Sequence, residues 1–119
     1  MRTHISIVAC LLLAGCVTSQ PPPPSADELR ARSEQAAAAC RAQPLTTYVE
    51  RAQCLNQAAM IAASAEADPD LFHKLLAARL SIAQRVDNKQ ITPTEGAKEY
   101  SKIQAQLTAE AKNRMAETQ

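Results

Sequence analysis

From Ala26 onward, apolar residues recur at spacings of three and four, in four blocks separated by short gaps that mostly contain proline. That period marks amphipathic helices, each with one stripe available for burial. Leu29, Ser33, Ala36 and Cys40 form the first stripe, which is narrow and weakly apolar. Tyr48, Ala52, Leu55, Ala59 and Ala62 form the second. Leu71, Leu75, Ala78, Ile82 and Val86 form the third, widened by Phe72, Leu76, Leu80 and Ala83. Ala97, Tyr100, Ile103, Leu107, Ala111 and Met115 form the fourth. The third block is the most apolar and is predicted to lie at the centre of the core.

Helix-start chemistry stands at the head of every block. Ser25 to Glu28, Thr47 to Glu50 and Thr92 to Glu95 each read as capping boxes, a hydroxyl N-cap with a carboxylate three residues on. Asp68-Pro69-Asp70 reads as an N-cap, a proline at the first helical position and an acidic first turn. The predicted helices run from Ala26 to about Ala42, Tyr48 to about Ala67, Pro69 to about Asn88, and Pro93 to about Glu117. Short connections make neighbours antiparallel, so the expected fold is all-α: hairpins forming a small three- to four-helix bundle over residues 26–119. Pairs such as Asp70/Lys74 and Glu110/Arg114 are spaced to meet on exposed faces.

Composition agrees with helices and predicts thin packing. The aromatics are Tyr48, Phe72 and Tyr100 alone, and beyond the first 15 residues the only glycine is Gly96. Alanine is the best helix former but buries little area. One glycine cannot build a phosphate-binding loop. Acidic and basic residues are interspersed at a formal net charge of +1, so no basic footprint for nucleic acid and no polybasic lipid patch is present.

The first 25 residues follow a different logic. Arg2 precedes an apolar run from Ile5 to Leu13, then small Ala14 and Gly15, which is the order of a secretory signal. The run is too short to span a bilayer, which needs roughly 20 residues. Leu13-Ala14-Gly15-Cys16 resembles the lipobox of bacterial lipoproteins. That resemblance implies cleavage of residues 1–15, a diacylglyceryl thioether (with palmitate-type acyl chains) on Cys16, and a membrane partner reached through this lipid. Two or more acyl chains hold a protein firmly, where one binds marginally. Ordinary signal cleavage is the rival, and it would leave Cys16 a lone thiol in an oxidising compartment. Val17, in place of the aspartate that resembles an inner-membrane retention signal in enteric bacteria, points to the outer membrane. Residues 16–25 then form a tether. The four prolines favour extended polyproline II at about 3 Å per residue, a spacer of roughly 20 to 25 Å.

With Cys10 removed and Cys16 lipidated, Cys40 and Cys54 remain as an even pair. They are expected to form a structural disulfide. A metal or redox pair is the alternative, supported by neither CxxC spacing nor a neighbouring histidine.

Little else carries chemistry. His73 is the one histidine beyond the signal, and Asp70 three residues earlier shares its helix face. The two could orient each other, with Ser64 or Ser81 as nominal nucleophiles, but an exposed helix histidine explains them as well. As a metal pair they lack the further ligands that a closed zinc site needs. Arg79 and Arg85, charges on the most apolar helix, read as solvated flank residues whose stems cover the core, with a partner protein or anionic glycan as the alternative. No catalytic, cofactor or metal residue is assigned.

The expected function is therefore a non-enzymatic, lipid-anchored envelope module that meets an envelope protein, in part through the flank of helices three and four. An inhibitor or binding module for an envelope enzyme or cell-wall glycan is the alternative, with Arg41 to Thr47 as its binding loop. A continuous coiled-coil spacer resembling the major murein lipoprotein is disfavoured by Pro44, Pro69 and Pro93, and by a terminal Gln119 where that protein ends in lysine.

Overall fold

A computed structural model describes residues 19–119. The signal, Cys10, Cys16 and Val17 lie outside the described residues. Four helices follow the proline segment: α1 (Ala26–Ala42), α2 (Tyr48–Met60), α3 (Pro69–Asp87) and α4 (Pro93–Glu117). No strand occurs among the described residues, and none of their helices is long and apolar enough to cross a membrane. Each helix packs on the next in sequence, so α2 and α3 are flanked on two sides and α1 and α4 form the margins. The expected all-α bundle is observed, built as consecutive hairpins.

Local chemistry sets the helix starts as expected. Ser25, Thr47 and Thr92 each accept from the backbone N–H three residues on, and Glu28, Glu50 and Glu95 return to the N-cap N–H. Asp68 accepts from the Leu71 N–H ahead of Pro69. Backbone donors left over at a helix start are thus met by side chains close in sequence.

One boundary differs. Helix α2 stops at Met60 rather than near Ala67, and a short 3-10 turn spans Ala63–Ala65. Bonds from Ile61 to Ala58 and from Ala62 to Ala59 tighten the last turn, and Ala62 leaves the helical region at φ −100° and ψ 11°. Pro69 holds only Asp68 out of helical geometry, and the chain reverses toward α3 over the residues between Met60 and Asp68. The 3-10 turn is then held from α1, where Arg30 Nη2 donates to the Ala65 carbonyl at 3.1 Å.

The core is Cys40, Ala52, Ala58, Ala62, Leu71, Leu76, Ile82, Ala83 and Val86. Helix α3 supplies five of the nine, as its stripe predicts. Alanines supply most of the rest, so the layer is thin. Helix α1 buries Cys40 alone and is joined to α2 by the Cys40–Cys54 disulfide, with Cα atoms 5.8 Å apart. In α4 the buried residue is Gly96, and Ala97 beside it is exposed. A Cβ at Gly96 would meet Ile82 Cγ2 and Val86 Cγ2 at 3.0 Å each, so the bare Cα is what lets α4 lie against α3. Tyr48 and Met115, expected inward, are 41% and 54% exposed, and both stand near helix ends.

Candidate functional site

The Cys40–Cys54 bridge closes the α1–α2 hairpin, as expected, and pins the loop that joins the two helices. Within that loop Glu50 Oε2 accepts from the Thr46 and Thr47 N–H groups at 3.0 and 3.2 Å, and Arg51 Nη2 donates to the Leu45 carbonyl at 3.3 Å. These donors hold the Glu50 carboxyl below its usual range, chiefly through the Thr47 N–H. The Arg41 to Thr47 segment is therefore an ordered, exposed ridge.

Asp70 and His73 are both exposed in the first turns of α3. The His73 ring meets Phe72 edge to face, with centroids 5.5 Å apart, and no hydrogen bond joins it to Asp70. Among the described residues, no three or more His, Cys, Asp or Glu side chains gather as a metal site would require. Lys74 lies 3.8 Å from Glu110 on α4, so the pair expected with Asp70 is replaced by one between helices. Glu110 meets Arg114 as expected, and Arg114 Nη1 also lies 2.9 Å from Asp68.

Arg79 and Arg85 are half-buried on the flank of α3, and both are engaged by neighbouring helices. Arg85 Nη1 bonds Glu99 Oε1 at 2.6 Å, tying α3 to α4. Arg79 bridges three helices. Its Nη1 donates to Asn56 Oδ1 on α2 at 2.8 Å, and its Nη2 donates to the Tyr100 hydroxyl on α4 at 2.7 Å. Asn56 Nδ2 donates in turn to the Leu76 carbonyl at 2.9 Å, so both ends of its amide are engaged and its orientation is fixed. Sequence spacing placed Arg79 on α3 but could not reveal two partners 23 and 21 residues away in the chain.

Above α3, between α2 and α4, this bridge borders an apolar groove of about 370 Å3. Ile82, Ala83 and Val86 form its floor, with Ala52 and Leu55 on one wall and Gly96 and Ala97 on the other. Tyr48, Arg51, Arg79 and Tyr100 supply its polar groups, and no acidic residue lines it. Both tyrosines of the chain converge here. The α3–α4 flank singled out in the sequence contributes the floor and one wall, whereas the α2 contribution was not expected. A second, larger concavity of about 700 Å3 lies between the start of α3 and the end of α4. Its chemistry is mixed: Glu34, Glu66 and Asp68 line it, and its one cation, Arg114, is already paired with Asp68 and Glu110. The groove over Ile82 is the better candidate, because it joins an apolar floor to uncompensated cations.

No known family model matches the chain, and no curated protein or solved structure matches it either.

Proposed function

We propose that this chain is a bacterial envelope lipoprotein, anchored through acyl chains on Cys16 at the outer membrane and facing the periplasm. Its helical domain acts as a non-enzymatic accessory module for another envelope component. The observation that carries this reading is the order of residues at the start: Arg2, the apolar run from Ile5, Leu13-Ala14-Gly15-Cys16, then Pro21–Pro24 and the Ser25-capped helix. A lipid at Cys16 confines the domain to a surface and raises its effective concentration near any membrane partner. The α2–α3–α4 groove supports the interaction role, since tyrosine and arginine around an apolar centre are the residue types that dominate binding energies.

Mass spectrometry of the protein purified from a bacterial membrane tests the anchor. The expected result is loss of residues 1–15 and added diacylglyceryl mass on Cys16. An unmodified Cys16 thiol would overturn it. Crosslinking in intact cells tests the role: a discrete protein adduct supports the accessory reading. The pinned Arg41 to Thr47 ridge favours one second reading, an inhibitor or glycan-binding module, and saccharide adducts on that ridge would establish it instead.

A further inference from the structure

Most arginines of this domain are paired with carboxylates, and the exposed Arg32 on α1, away from any groove, is not. Arg30, Arg41, Arg85 and Arg114 each have a carboxylate within 4.0 Å. The two that line the α2–α3–α4 groove, Arg51 and Arg79, have none among the described residues. Neutral groups hold them: the Leu45 carbonyl for Arg51, and Asn56 with the Tyr100 hydroxyl for Arg79. Each is also near a tyrosine ring, Arg51 at 5.6 Å from the Tyr48 centroid and Arg79 at 5.3 Å from that of Tyr100. Such contacts orient a guanidinium without cancelling its charge. Five N–H donors belong to each guanidinium, so both retain several for a further acceptor.

Below them the groove is apolar, floored by Ile82 and Val86 and narrowed by Leu55. Two cations without counter-charge lining an apolar slot are complementary to a molecule with a carboxylate at one end and a hydrocarbon chain at the other. Size agrees. At roughly 30 Å3 for each water-sized group, about 370 Å3 holds a dozen of them. We infer that this groove binds a medium-chain alkyl carboxylate, its chain along Leu55, Ile82 and Val86 and its head group between Arg51 and Arg79. A carboxylate matches the planar guanidinium fork. The inference stands on the groove alone and is independent of the anchor at Cys16.

Decanoate, with about a dozen heavy atoms, is the probe. The protein as purified from bacterial membranes, whatever the state of Cys16, is labelled with 15N, held in neutral phospholipid nanodiscs and titrated with decanoate and in parallel with 1-decanol. Backbone amides and arginine Nε–H signals report the site. The expected result is saturable shifts at Leu55, Arg79, Ile82 and Val86, with decanoate binding at least about tenfold more tightly than decanol. Arg51→Gln, which leaves the Arg79 bridge intact, should erase most of that preference, and Arg79→Lys should keep more of it than Arg79→Gln. Equal affinity for decanol would overturn the inference, as would absence of saturation or shifts centred on Leu107 and Ala111 in the other concavity. A groove that ignores decanoate yet gains protein crosslinks at Leu55 in cells would overturn it as well, and would assign the slot to a polypeptide.

Discussion

Asp87, the last residue of α3, accepts a hydrogen bond at 2.9 Å from the Val49 backbone N–H, 38 residues earlier in the chain. Its other carboxylate oxygen takes the Tyr48 N–H at 3.0 Å. Thr47 already serves the third helical N–H, at Glu50, so the first turn of α2 is capped half by its own N-cap and half by a residue of another helix. A carboxylate there also faces the positive end of the α2 dipole. The contact fixes the end of α3 against the start of α2, and with it the geometry of the groove that Tyr48 and Val86 line.

Replacing this carboxylate should cost more than an exposed cap. Asp87→Ala is expected to destabilise the domain by about 1–2 kcal/mol in urea unfolding, and Asp87→Asn by less, because one acceptor oxygen survives. An Asp87→Ala variant as stable as the parent would show that water replaces the cap without penalty.

The Cys40–Cys54 bridge closes a loop with a sequence separation of 14. In the chain-entropy model that constraint is worth about 3 kcal/mol. Because α1 buries only Cys40, the double variant Cys40→Ser/Cys54→Ser should release α1 first. Hydrogen exchange is expected to accelerate across Ala26–Ala42 while amides of α3 remain protected.

Gly96 sets the α3–α4 spacing. Alanine there would gain about 1 kcal/mol in helix propensity, yet its Cβ would lie 3.0 Å from Ile82 and Val86. Valine adds two methyl groups to the same contact. Gly96→Val should therefore destabilise by about 2–3 kcal/mol through overpacking. Thermal unfolding measures it, and a neutral result would mean that α4 shifts freely.

Glu50 and Glu95 both titrate below the usual carboxylate range, chiefly because the N–H of Thr47 and of Thr92, respectively, donates to them. A folded value below the unfolded one gives stability that is present above about pH 4.3 and lost as the pH falls through the folded value. The Glu50→Gln/Glu95→Gln variant should show a flatter acid limb of stability below about pH 4.3, with little change in slope near pH 7. Denaturation midpoints recorded between pH 3 and pH 7 would test it; identical acid limbs would refute the contribution.

Much of the fold was legible because helix starts are local. The capping boxes at Ser25, Thr47 and Thr92 and the proline at Pro69 act within four residues, and each opens a helix where the sequence predicts. The stripe from Leu71 to Val86 identified α3 as the core helix for the same reason: periodicity and burial share one geometric cause. The pairing of Cys40 with Cys54 followed from elimination among four cysteines and a short turn. Non-local contacts could not be read in this way. The end of α2 at Met60 depends on how much chain is needed to reverse before Pro69. Lys74 found Glu110 instead of Asp70 once α4 lay alongside α3. The sequence alone determined the helices, their starts, the burial stripe of α3 and the resemblance at Cys16. Tertiary structure alone decided that Gly96 rather than Ala97 is buried, that Asp87 caps α2, and that Arg79 joins Asn56 to Tyr100 above an apolar groove. Those contacts form only after the helices pack, because their partners are far apart in the chain and no local period carries them.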